Sequence, residues 1–213
     1  MTKLKSTLQQ AVGLLTLALM VSPSYASDAT RSDHEWQEKI NLCTSCHTVD
    51  GNSATPDYPK LSGLHTDYIV KQLTDFKAGK RTSLFMGPII TQIEEKEFKA
   101  LAEYFSAKKR VPEVAVASEL AAQGKKIFES GFVGRVDACS KCHGNEGEGT
   151  KTYPRLNGQH SKYIVSQLQN LKSGARSNDN NEEMRKVAKQ LSEPEMKAVA
   201  EYIASLKEEE PQE

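Results

Sequence analysis

Two stretches of the 213-residue chain carry the same apolar stripe. Phe98, Leu101, Ala102 and Phe105 recur at i, i+3, i+4 and i+7, and so do Met196, Val199, Ala200 and Ile203. That period sets the four on one side of a helix, so each stretch predicts an amphipathic helix turned toward a core. The second begins cleanly, because Ser192-Glu193-Pro194-Glu195 is a capping box with proline in the first turn. Further helices are predicted from about His65 to Ala78 and from about His160 to Ser173, followed by Gly79 and Gly174 as C-terminal caps. No run alternates apolar and polar positions convincingly, so the expected fold class is all-α.

The stripes recur because the chain is a tandem duplication. Thirteen of the 24 positions from Tyr58 to Arg81 are identical 95 residues later, and Phe98 to Tyr104 matches Met196 to Tyr202 at an offset of 98. Val111 to Ser118 reads as the connection, since Pro112 blocks a helix, with a fully apolar strand as the other reading. The expected organisation is a cleaved signal peptide over 1–26, a first domain over 27–112, a linker over 113–119, and a second domain over 120–213 that ends in the acidic tail Glu208 to Glu213.

The signal reading rests on Lys3 and Lys5, the apolar run Ala11 to Val21, and the small residues Ser24 and Ala26 before the cut. Eleven apolar residues are short of the roughly 20 that span a bilayer. Export implies an oxidising, extracytoplasmic compartment. Removing the signal takes only two lysines with it and leaves a net charge of −2, which argues against nucleic acid as a partner. With 38% hydrophobic and only 7% aromatic residues in two small domains, each core needs help from something other than side chains.

All four cysteines lie in Cys43-Thr44-Ser45-Cys46-His47 and Cys139-Ser140-Lys141-Cys142-His143. Two disulfides or a zinc site are the ordinary readings, but 92 residues separate Cys46 from Cys139, and neither reading explains a histidine after both pairs. C-x-x-C-H is the attachment signature of haem c. Thiols three apart on one helical turn reach the two vinyl groups along one porphyrin edge, and the adjacent histidine projects beneath the iron. Two covalently bound haem c groups are therefore expected, with His47 and His143 as iron ligands.

Haem iron held by one histidine needs a second axial group for electron transfer, or an open position for catalysis. Past the signal there are three methionines; Met86 and Met184 are equivalent in the repeats, 39 and 41 residues after their histidines, while Met196 aligns with Phe98 in the core stripe. A thioether held in a loop before the last helix suits a high-potential carrier. The alternative is bis-His ligation through the equivalent pair His65 and His160; His34 has no counterpart and is expected to face solvent.

The two C-x-x-C-H motifs, the paired Tyr-Pro-x-Leu-x-Gly-x-His-x-x-Tyr-Ile-Val-x-Gln-Leu segments and a methionine before each final helix resemble the diheme cytochromes c4. The resemblance implies two tandem class I cytochrome c domains related by a pseudo-twofold axis with haem propionate edges facing. It also implies a periplasmic electron carrier in a respiratory chain, with no enzymatic activity of its own. The donor would be a membrane quinol-oxidising complex or a dehydrogenase and the acceptor a terminal oxidase, with peripheral membrane association. It assigns Cys43, Cys46, Cys139 and Cys142 to thioethers, His47 and His143 to the proximal position and Met86 and Met184 to the distal one. Pro59 and Pro154 would position the proximal histidines, and Tyr68 and Tyr163 would bond propionates. Departures are Leu64, where the second repeat keeps Gln159, and Thr48, where it keeps Gly144. Other readings are a cytochrome subunit of a flavoprotein dehydrogenase, or a diheme peroxidase; near-duplicate haem environments argue against the peroxidase.

Overall fold

The computed structural model describes residues 26–113 and 119–207. The signal assigned to 1–26 lies, apart from Ala26, outside the described residues, as do linker residues 114–118 and the tail Glu208 to Glu213. In chain order the helices are α1 (Ala26–His47), α2 (Thr66–Lys77), α3 (Met86–Ile90), α4 (Phe98–Ser106), α5 (Glu119–Ser130), α6 (Ser140–His143), α7 (Ser161–Ser173), α8 (Glu183–Gln190) and α9 (Glu193–Ser205). Among the described residues there is no strand, only one isolated bridge between Phe132 and Val136.

The predicted middle and final helices are α2, α7, α4 and α9, within a residue or two of their expected ends. Ser192 caps α9 with both bonds of the capping box in place, and Met196 is fully buried in the core as expected. The sequence reading did not anticipate the N-terminal helix of each repeat. α1 carries Cys43, Cys46 and His47 on its last turn. In the second repeat the same role is split. α5 stops at Ser130, Gly131 turns the chain at φ +63°, and helix resumes only at Ser140, where α6 carries Cys142 and His143.

Each repeat closes its core by crossing its first helix over its last. In the first, Ile40 packs with Phe98 and Leu101, flanked by Trp36. In the second, Ile127 and Phe128 of α5 pack on Val199, Ala200 and Ile203 of α9. The crossing is tight enough that a Cβ at Gly124 would lie 1.9 Å from the Ala198 carbonyl oxygen, so only glycine lets the two backbones approach.

The two repeats meet along a polar seam with twofold character. Arg81 donates to the Tyr163 hydroxyl at 3.0 Å and to Gln72 at 2.6 Å. Arg176, its equivalent, donates to the Tyr68 hydroxyl at 3.2 Å and to Gln167 at 2.9 Å. The linker end joins in, as the Glu113 N–H donates to the Ala204 carbonyl of α9.

Candidate functional site

His47 closes α1 and His143 closes α6, both buried. The His47 Nδ1 lies 2.8 Å from the Pro59 carbonyl oxygen, and the His143 Nδ1 lies 2.9 Å from that of Pro154. A carbonyl only accepts, so each Nδ1 carries the proton and each Nε2 is left with a bare lone pair, the form that binds a metal. Burial pushes the pKa of both rings down against the opposing backbone bond, which keeps them neutral. A tyrosine ring meets each imidazole edge-on, Tyr58 at 6.2 Å and Tyr153 at 6.0 Å, both at 68°. Pro59 and Pro154 thus fill the positioning role expected of them.

Cys43 and Cys139 pack against the cores, and Cys142 is exposed. Burial pushes the Cys43 and Cys139 thiols up to about 11, so both are protonated and uncharged. An apolar, neutral sulfur is what a thioether needs on its protein side.

Met86 and Met184 do not sit in loops as expected; each opens a short helix, Met86 at the first residue of α3 and Met184 at the second of α8. The Met86 N–H donates to Ser83 Oγ at 3.2 Å. Before Met184 the chain passes through two non-glycine residues in left-handed conformation, Asn181 at φ 50° and Glu182 at φ 59°. Such residues cost about 1–3 kcal/mol each and persist where a site dictates them. Here Arg185 holds the turn, its Nε donating to Asp179 at 2.7 Å.

The alternative ligands fare differently. His160 commits both ring nitrogens, Nδ1 to Glu113 at 2.7 Å and Nε2 to Ser53 at 2.9 Å, so neither is offered to iron. His160 is the N-cap residue of α7 and lies buried in the seam between the repeats. The buried Nε2 of His65 has no hydrogen-bond partner. His34 is exposed beside Glu38, as expected. Tyr68 and Tyr163 bond arginines across the seam; burial raises the Tyr68 pKa but Arg176, Arg81 and Lys71 outweigh it and hold it below its ordinary value.

The two sites differ at their mouths. Tyr58 stacks edge-on against exposed Phe85, with Leu84 beside it 93% exposed. Its counterpart Tyr153 is hydrogen-bonded to Glu183, whose charge raises its pKa. Sequence reasoning missed Ser53, Glu113, Arg81 and Arg176, because their partners lie in the other repeat.

The residues fit two covalently attached haems: two neutral imidazoles with Nε2 free to coordinate, two neutral half-buried thiols, and the same proximal frame in both copies. The profile of the Cytochrome c family matches residues 37–107 and 121–207. The chain is 36% identical over 197 residues to cytochrome c4 of Pseudomonas aeruginosa, covering 91% of this chain and 96% of that one. It is 32% identical over 169 residues to a thiosulfate dehydrogenase electron acceptor of Stutzerimonas stutzeri, covering 77% and 78%. Among solved structures, reduced recombinant cytochrome c4 from Pseudomonas stutzeri superposes with a TM-score of 0.77 at 36% identity, covering 82% of this chain and 98% of that one.

Proposed function

From the premise that this chain belongs to the cytochrome c family, as a member of the diheme cytochromes c4, we propose that it is a periplasmic carrier that takes electrons from a membrane quinol-oxidising complex or a dehydrogenase and delivers them to a terminal oxidase. It is an electron-transfer protein with two covalently bound haem c groups. Each haem, when bound, stores one electron as iron alternates between ferric and ferrous states.

In this reading Cys43 and Cys46 anchor one haem and Cys139 and Cys142 the other. His47 and His143 present Nε2 to the irons, their rings held by Pro59 and Pro154, and Met86 and Met184 supply the distal thioethers. The observation that supports it best is the near-identity of the two proximal frames, 2.8 and 2.9 Å to proline carbonyls with the same 68° tyrosine contact. Two equally built proximal frames suit two carriers better than one carrier and one catalyst with an open iron.

The protein purified from the periplasm should show the mass of the chain cleaved after Ala26 plus two haems; one haem, or recovery from the cytoplasm, rejects the proposal. In the oxidised protein the weak near-infrared sulfur-to-iron band should fall by about half in Met86→Ala and again in Met184→Ala. Absence of that band from the parent protein would favour bis-His ligation instead. Oxidation by membranes containing the terminal oxidase should be fast enough to sustain respiration.

The likeness to an electron acceptor of thiosulfate dehydrogenase favours a second reading, in which a dehydrogenase for reduced sulfur compounds is the donor. Rapid reduction by such an enzyme, and co-purification with it, would select this reading.

A further inference from the structure

The proximal frames match within each repeat but differ in what the other repeat does to them. The carbonyl that holds His47 and the Lys60 N–H belong to one peptide unit, Pro59–Lys60. That N–H donates to the Gln159 side-chain oxygen at 2.9 Å, and the Gln159 side-chain nitrogen donates to the Lys60 carbonyl at 2.9 Å. Gln159 thus pairs with the backbone of Lys60 from the second repeat, and both residues are buried. His160 adds a clamp beside it. Its Nε2 faces the hydroxyl and the carbonyl of Ser53, and the Ser53 hydroxyl donates to the Tyr58 carbonyl at 2.7 Å. The second repeat therefore holds the segment from Ser53 to Lys60, which in turn holds His47.

Leu64 does not provide the reverse arrangement. It holds the position equivalent to Gln159, is buried in the first core, and its side chain has no polar atom to offer the Pro154–Arg155 peptide that holds His143. His65, equivalent to His160, leaves its Nε2 without a partner.

Resting on the ligation proposed above, we infer that Gln159 is a positioning residue through which the second domain tunes the redox potential of the haem on His47, a role that Leu64 cannot play for the haem on His143. A donor bonded to Oε1 polarises its peptide, so the Pro59 carbonyl becomes a stronger acceptor. A stronger Nδ1–H···O bond makes the imidazole more basic, and a more basic ligand favours ferric iron. Gln159 lowers the potential of the first haem by this route.

The test is a redox titration of each haem in the holoprotein, with the first haem identified by the drop in its potential in Met86→His. Gln159→Leu, which gives position 159 the residue found at 64, should shift the first haem toward the reduced state about threefold. At about 59 mV per tenfold change that is about 30 mV, with the second haem unmoved. Gln159→Glu keeps the acceptor for Lys60 N–H as a stronger one and should move the first haem the opposite way. The hyperfine-shifted Nδ1 proton of His47 should move with the potential while that of His143 stays. Should the leucine variant lose its fold, Gln159→Met keeps the length and is read in the same way. Equal shifts at both haems, or an unmoved first haem with both ligand sets intact, overturn the inference. Absence of the His/Met spectrum from the parent protein overturns the ligation itself.

Discussion

Arg81 of the first repeat donates to the Tyr163 hydroxyl of the second at 3.0 Å, and Arg176 returns the bond to Tyr68 at 3.2 Å. Arg81 also reaches Gln167 at 3.0 Å, and Arg176 reaches Gln72 at 3.4 Å. Each arginine thus binds both copies at once. Lys71 and Asn178 extend the contact on one side, with Asn178 Nδ2 donating to Asp75 at 2.6 Å.

Truncating either arginine leaves part-buried hydroxyl and amide groups without their charged donor. Arg81→Ala and Arg176→Ala should each cost about 1–3 kcal/mol. Because they share Gln72 and Gln167, the double variant should cost less than the sum. Calorimetry of the holoprotein checks this, with the single parental transition expected to split as the domains uncouple.

Thr48 follows the proximal histidine of the first repeat at φ 63°, a left-handed conformation that a β-branched residue adopts only under strain. Its hydroxyl bonds Asp50 Oδ1 at 2.5 Å and the His47 carbonyl, which offsets part of that cost. Thr48→Gly should stabilise the first domain by up to about 1 kcal/mol, read as a higher melting temperature. The mirror experiment, Gly144→Ala, should destabilise. Gly144 sits at φ 85° and ψ 156°, which only glycine adopts readily, and a Cβ there would lie 2.2 Å from the Glu148 carboxylate.

Arg135 donates to both oxygens of Glu195, whose carboxyl is drawn to about 2 chiefly by that contact, against burial and with help from Ser192. A carboxyl depressed in the folded state stabilises fully above its unfolded value, about 4.3, and loses that contribution as pH falls toward about 2. Glu195→Gln should therefore flatten the pH dependence of unfolding over that window, while lowering stability at neutral pH. Urea unfolding followed at several acidic pH values measures it.

Gly124 marks where α5 meets α9. Gly124→Ala drives a methyl group into the Ala198 carbonyl, with the Tyr202 Cβ 2.9 Å away, and should cost about 1–3 kcal/mol or prevent assembly of the second domain. The first haem should keep its spectrum in that variant, since its ligands belong to the other repeat.

Much of this was legible before any coordinates. The stripe at Phe98 to Phe105 and its copy at Met196 to Ile203 predict α4 and α9, because a 3.6-residue period has one buried side whatever it packs against. The two C-x-x-C-H motifs and the methionines name their chemistry in the same way, because attachment and ligation depend on residue types at short spacing. The N-terminal helices were harder. α1 is mostly polar, and α5 has a glycine on the side it buries, so neither shows a continuous apolar stripe.

The sequence by itself determined the repeat, the helical class and the residues equipped to hold two haems, since each is a local property of the chain. Tertiary structure alone decided what the differences between the copies do. Gln159 and Leu64 differ by one side chain at matching positions, and nothing local says that one reaches the peptide holding His47 while the other packs into its own core. Likewise His160 becomes a buried clamp only because Ser53 and Glu113, 107 and 47 residues away in the chain, meet it in the seam. A hydrogen bond between distant segments is set by how the domains dock, and docking depends on the summed shape and polarity of two surfaces rather than on any short motif.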